Sequence, residues 1–86
     1  MTRMRLLYFA SVREVLDRDG DDIAFPAHIL TVGQCIDWLV ERDDAYRAAF
    51  ADRGRLRFAL DQQMVQETVK IGGAEELAIF PPVTGG

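Results

Sequence analysis

The residues best placed to do chemistry are the last six, Pro81-Pro82-Val83-Thr84-Gly85-Gly86. Two prolines fix φ and remove two backbone donors, so a sheet ladder cannot run through them. They favour an extended, polyproline-like path instead. Beyond them come two small side chains, then two glycines with none. Such a tail is stiff at its root and thin at its tip, and a foreign active site can close around backbone that lacks Cβ atoms. The final group is the α-carboxylate of Gly86. A carboxylate is a poor electrophile until it is activated, for example as an acyl-adenylate, which sulfur or an amine can then attack. That demands ATP and a partner enzyme. The competing reading is a frayed end, because termini are often disordered. Gly-Gly preceded by Pro-Pro, after an apolar strand on a small acidic domain, favours function.

Other chemistry-bearing residues offer less. Cys35 falls on an apolar helical stripe, where a thiol is expected to be buried and inert. As the one cysteine, it excludes an internal disulfide and a cysteine-rich metal site. His28 has no cysteine or serine placed to form a catalytic pair and reads as a loop histidine. Asp17, Asp19, Asp21 and Asp22 superficially suggest a calcium loop, but no glutamate stands at the closing position, so a solvated turn is the better reading. Glu75-Glu76 reads as a polar hairpin flank. No catalytic side chain, metal site or bound cofactor is expected.

The supporting body is small. Eighty-six residues make one domain, burying about 60–65% of the surface that the unfolded chain exposes. That leaves little room for both a core and a deep active site. Fourteen acidic against ten basic residues give a net charge of −4, which argues against nucleic acid, whose phosphates call for clustered Lys and Arg. It suits docking onto basic partners. No apolar run approaches the ~20 residues of a membrane helix, and the N-terminal stretch is too short for a signal peptide. The expected location is the cytoplasm.

Arg3 to Ala10 reads as a strand with bulk on both faces, hence a central one. Ser11-Val12-Arg13-Glu14 fits a capping box opening a short helix to Leu16. Asp17 to Asp22 reads as a polar turn, and Ile23-Ala24-Phe25 as a short strand near an edge, closed by Pro26. Thr31-Val32-Gly33-Gln34 is a second capping box. It opens the clearest helix, with Val32, Cys35, Ile36, Leu39 and Val40 on one stripe. Asp43-Asp44 caps another short helix through Tyr46, Ala49 and Phe50, which stops near Gly54. Leu56 to Leu60 reads as a strand continuing toward Met64 and Val65. Gly72-Gly73 is a turn, and Leu77 to Phe80 a last strand ended by the prolines. A long helix packed on one face of a small mixed sheet buries that stripe most simply. The expected fold is α+β, of β-grasp type: a domain over 1–80 and a flexible extended tail over 81–86.

Two segments then carry a resemblance. Leu6-Leu7-Tyr8-Phe9-Ala10-Ser11-Val12-Arg13-Glu14 resembles the opening of molybdopterin synthase small subunits, and Phe80-Pro81-Pro82-Val83-Thr84-Gly85-Gly86 resembles their ending. The likeness runs the whole length. The C-terminal heptad is its most specific part. Asp61 stands where asparagine is usual, and Gly73-Ala74 where Asp-Gly is usual. The resemblance implies a ubiquitin-like β-grasp fold and a sulfur-carrying cycle. A ubiquitin-type activating enzyme would use ATP and magnesium to form the Gly86 adenylate. Persulfide-derived sulfur would displace AMP and leave a thiocarboxylate, 1-thioglycine. Val83, Thr84, Gly85 and Gly86 would then enter the synthase large subunit, within an expected heterotetramer. There the sulfur would attack cyclic pyranopterin monophosphate, two deliveries building the dithiolene of molybdopterin.

By position in the family pattern, Phe80, Met64, Arg13, Pro81 and Pro82 would face the partner. For three of these an alternative stands: Phe80 as core at a strand end, Met64 as core filler, Arg13 as a solvated helix residue. Rival functions are a sulfur carrier for thiamine or cysteine synthesis, a ubiquitin-like modifier ending on a target lysine, and an interaction module with an inert tail.

Overall fold

Five strands form one mixed sheet in the computed structural model, which describes residues 1–81. They are β1 Thr2–Tyr8, β2 Gly20–Phe25, β3 Arg57–Leu60, β4 Gln63–Val65 and β5 Glu76–Phe80, in the spatial order β2-β1-β5-β3-β4. β1 and β5 are parallel, and every other neighbouring pair is antiparallel. Three α-helices, α1 Ala10–Leu16, α2 Val32–Arg42 and α3 Asp44–Ala49, and a short 3-10 helix at Arg53–Arg55 complete the described fold. This is the α+β, ubiquitin-like β-grasp arrangement.

The stripe on α2 builds the core. The Thr31 hydroxyl accepts from the Gln34 backbone N–H at 3.2 Å, and the Gln34 side-chain oxygen accepts from the Thr31 N–H at 3.2 Å, so the second capping box is formed. Val32, Cys35, Ile36 and Leu39 are buried in one cluster with Leu6, Phe25, Phe58, Leu77 and Ile79 of the sheet. Each large aliphatic side chain so buried stabilises by about 1.5–3 kcal/mol. Val40, at the edge of the stripe, is only partly buried. α3 starts as expected, with the Asp43 carboxylate accepting from the Ala45 N–H at 2.8 Å.

Three local expectations are corrected. Ser11 caps nothing: α1 begins at Ala10, with Phe9 at the cap position and no side-chain cap bond. Phe9 is still held to the sheet, its N–H donating to the Ile79 carbonyl at 3.3 Å. The chain therefore turns off the sheet immediately, through Ala10 at φ 52°. The Asp17–Asp22 segment is only partly a turn, since β2 already begins at Gly20. A side chain at Gly20 would meet the Leu6 carbonyl oxygen at 2.2 Å, so this strand start accepts glycine alone. Finally, the strand from Leu56 does not run on to Val65. It folds back as a hairpin pairing Leu60 with Gln63, across a turn in which Asp61 and Gln62 both have positive φ, 48° and 70°. Such two-residue turns match the twist of the flanking strands.

A polar cluster ties the β1–β2 edge to α3. The Tyr8 and Tyr46 hydroxyls each donate to Oδ2 of Asp21 at 2.7 Å, and Arg18 Nε donates to the same oxygen at 2.7 Å. Burial works against the Asp21 charge, but the bonds from Tyr8, Tyr46 and Arg18 outweigh it and hold the carboxyl below its usual range. A second tie centres on Arg53. It pairs with Asp37 of α2 and with Glu67, and donates to the Gly33 carbonyl at 2.8 Å.

Candidate functional site

Strand alternation gives the sheet one covered face and one open face. Along β1, Met4, Leu6 and Tyr8 are fully buried, while Arg3 and Arg5 are exposed and Leu7 is half-buried. The bulk expected on both faces thus serves two purposes, core on one side and an uncovered surface on the other. Cross-strand register extends that surface. Leu7 stands beside Ala78, Ala78 beside Ala59, and Ala59 beside Met64. The two alanines are hidden between larger neighbours, while Met64 is 62% exposed. Met64 therefore does not fill the core.

The next row toward the tail is aromatic. Phe80, the last residue of β5, is half-buried, and its ring meets that of Phe9 edge-on at 6.3 Å and 85°. Phe9 is 46% exposed. Phe80 is therefore neither fully core nor free, and one ring that it meets is itself open to solvent. Pro81, also half-buried, follows directly. Arg13 lies one helical turn beyond Phe9, its N–H donating to the Phe9 carbonyl at 3.4 Å. Its guanidinium is half-exposed and reaches Asp19 only at 3.9 Å. An ion pair this long and open contributes little.

Phe80 and Met64 thus share one open face, with Pro81 at its tail end and Arg13 on the adjoining helix. The expected contacts at Pro82, and the tail residues Val83, Thr84, Gly85 and Gly86, lie outside the described residues. Phe9 and Leu7 were missed as surface residues. Their signal was available: inward Leu6 and Tyr8 leave Leu7 and Phe9 pointing outward.

The remaining candidates fall away from this face. Cys35 is fully buried on α2, and burial pushes its thiol up to about 12, so it carries no thiolate at neutral pH. His28 is exposed in the connection between β2 and α2. Among the described residues no three His, Cys, Asp or Glu side chains are grouped to hold a metal ion, and no helix is long and apolar enough to cross a membrane.

A half-open apolar face thus lies at the exit of the last strand. The model of the ThiS family matches residues 6–86. The chain belongs to the ThiS family. Its relatives include the molybdopterin synthase sulfur carrier subunit of Escherichia coli (strain K12), 34% identical over 96% of this chain and 99% of that one. The subunit of the same name from Anopheles gambiae is 31% identical over 98% of this chain and 92% of its own. Among solved structures, SAMP1 from Haloferax volcanii superposes with a TM-score of 0.75 at 27% identity, covering 98% of this chain and 99% of that one. A Pyrococcus furiosus protein described as subunit 1 of a molybdopterin converting factor has a TM-score of 0.74 over 96% of this chain and 100% of its own. At 18% identity it shows the shared fold alone.

Proposed function

We propose that this chain is the sulfur carrier subunit of a molybdopterin synthase, delivering sulfur from a thiocarboxylate on Gly86. The full-length likeness to proteins named molybdopterin synthase sulfur carrier subunit, with the family match through residue 86, carries the reading. The open face ending in Phe9 and Phe80, at the root of the tail, supports it. In the first step the Gly86 carboxylate attacks the α-phosphorus of ATP on a ubiquitin-type activating enzyme, and magnesium-bound pyrophosphate leaves. The terminal sulfur of a persulfide then attacks the acyl carbon and AMP departs, leaving an acyl disulfide. A second thiol attacks the outer sulfur of that bond, forms a disulfide with the donor and releases the thiocarboxylate. In the second step the tail enters the large subunit, while Phe80, Met64, Arg13 and Pro81 stay at the surface and dock. The thiocarboxylate sulfur attacks cyclic pyranopterin monophosphate there and displaces an oxygen substituent. Water hydrolyses the resulting thioester, the sulfur stays on the pterin, and the spent carboxylate returns to be charged again. The chain is a recycled co-substrate; acid–base groups for the pterin chemistry come from the large subunit. The assembly is a heterotetramer of two carriers on two large subunits, and it works in the cytoplasm.

The test is intact-mass analysis of the C-terminal peptide after incubation with ATP, magnesium, a sulfur donor and the organism's own activating enzyme. One oxygen should be replaced by sulfur. No activation by any of the organism's activating enzymes would overturn the proposal.

The likeness to SAMP1, whose family of structures includes one described as small archaeal modifier protein 1, gives a second reading, attachment of Gly86 to lysines. Lys70 is the one lysine in the sequence. Polymeric chains linked through lysine would therefore disappear in Lys70→Arg, and conjugates in cell extract would favour this reading.

A further inference from the structure

We propose that Arg57 makes the docking face selective for a surface that presents a carboxylate beside the tail root, and that this surface belongs to the large subunit. The inference rests on the docking role proposed above for Phe80 and Met64. Arg57 is opposite Phe80 in the β3–β5 register, and two residues before Ala59, whose cross-strand partner is Met64. It therefore stands on the open face among the apolar residues. It is exposed, and its guanidinium makes one hydrogen bond, to the Leu56 carbonyl at 3.0 Å.

Among the described residues Arg57 has no ion-pair partner, although acidic residues outnumber basic ones by 14 to 10. Arg5, Arg13, Arg18, Arg47, Arg53 and Arg55 have one, while Arg42 lies over the Trp38 ring and Arg3, like Arg57, has none among the described residues. The nearby carboxylate is already taken. A groove of about 850 Å³ runs beside β4, lined by Leu56, Arg57, Phe58, Met64, Glu67 and Val69 among others. Within it, Glu67 accepts from Arg53 Nε at 2.8 Å and from Arg53 Nη2 at 2.6 Å. Arg57 is left exposed, with one donor on the Leu56 carbonyl and no carboxylate on its guanidinium among the described residues.

A partner that covers Phe80 and Met64 must also strip water from Arg57. A guanidinium buried without a counter-charge strongly disfavours docking, whereas a carboxylate can accept two parallel bonds from its planar fork. Arg57 thus rewards an acidic partner and rejects an apolar or basic one, so that specificity comes from the penalty as much as from the contact. Continuity with Phe80 and Met64 makes the large subunit the occupant.

The experiment titrates the full-length chain, Arg57→Gln, Arg57→Glu and Phe80→Ala into the purified large subunit from the same organism by calorimetry, at low and high salt. Melting temperatures should match wild type for both Arg57 variants, because the side chain is exposed. Arg57→Gln should weaken binding roughly tenfold or more, Arg57→Glu should weaken it further, and both should flatten the salt dependence. Phe80→Ala should weaken binding about equally at both salt concentrations. If Arg57→Glu binds like wild type while Phe80→Ala is weakened, the carboxylate partner is disproved and the docking role of Phe80 stands. Weakened binding to the activating enzyme alone would overturn the assignment to the large subunit. A wild-type chain that does not bind the large subunit would instead remove the proposed function, and this inference with it.

Discussion

Phe80 is the residue at which fold and docking can be separated. Its ring leans on Phe9, which is itself nearly half-exposed, so truncation leaves an open notch rather than a sealed cavity. Phe80→Ala should therefore cost the isolated domain less than the ~3–5 kcal/mol of a fully buried phenylalanine. Binding to the large subunit should fall by ~2 kcal/mol or more, as aromatic anchors do. Denaturant melts and calorimetry give the two numbers, and equal losses would mean that the ring is core. Asp61 offers a second residue-scale test. Its Oδ1 accepts from the N–H groups of both Glu75 and Glu76 at 3.0 Å, and its φ of 48° suits Asp or Asn. The asparagine usual at this place could make the same two bonds. Asp61→Asn should keep the urea midpoint almost unchanged, while Asp61→Ala should lose about 1–3 kcal/mol by dropping both bonds.

At the level of elements, the Tyr8–Asp21–Tyr46–Arg18 cluster joins β1, the start of β2, the α1–β2 turn and α3. Asp21 has its carboxyl depressed in the folded chain, so it contributes stability that is fully present above the unfolded value of about 3.9. That contribution drains away as pH falls through the lower folded value. Asp21→Asn should therefore destabilise at neutral pH by about 1.5–3 kcal/mol, the scale of a hydrogen bond to a charged group. It should also shrink the acid-side loss of stability in melts taken below pH ~4. An unchanged acid limb would show that other carboxylates govern acid unfolding. On α2, Thr31→Ala removes the first half of the capping box and should cost about 1 kcal/mol.

For the molecule as a whole, the tail and the globular body should be separable. Among the described residues the final sheet pair joins Arg57 to Phe80, and the last residue of the buried cluster is Ile79. Deleting Gly85 and Gly86 should thus leave the melting temperature almost unchanged and preserve part of the partner binding through the open face. Sulfur transfer should vanish, because the terminal carboxylate would then sit on Thr84. Gly85→Val keeps the length and the terminal glycine but adds a β-branched side chain, and should fold and dock while being adenylated slowly. Molybdopterin formation by the truncated chain in a reconstituted assay would leave the tail without its proposed role.

Sequence alone determined whatever depends on near neighbours along the chain. The α2 stripe and its Thr31–Gln34 box were legible because helical contacts recur three and four residues apart. The chemistry proposed for Gly86 also rests on the sequence, because it is covalent and needs no fold to define it. The mistakes lie where distant segments compete. Ser11 looked like a cap, but the bond between Phe9 and Ile79, 70 residues further on, fixes where α1 begins. Asp21 looked like turn solvation until Tyr8 and Tyr46 converged on it from β1 and α3. Met64 and Phe80 were readable as core or as surface with equal reason, since an apolar strand residue does not say which face it takes. Pairing decided it: β1 beside β5, β5 beside β3 and β3 folded back onto β4 place Leu7, Ala78, Ala59 and Met64 in one row on the side away from the helical core. A one-residue slip in any of these pairings would turn those side chains inward, and register is a property of the folded sheet that no single segment carries.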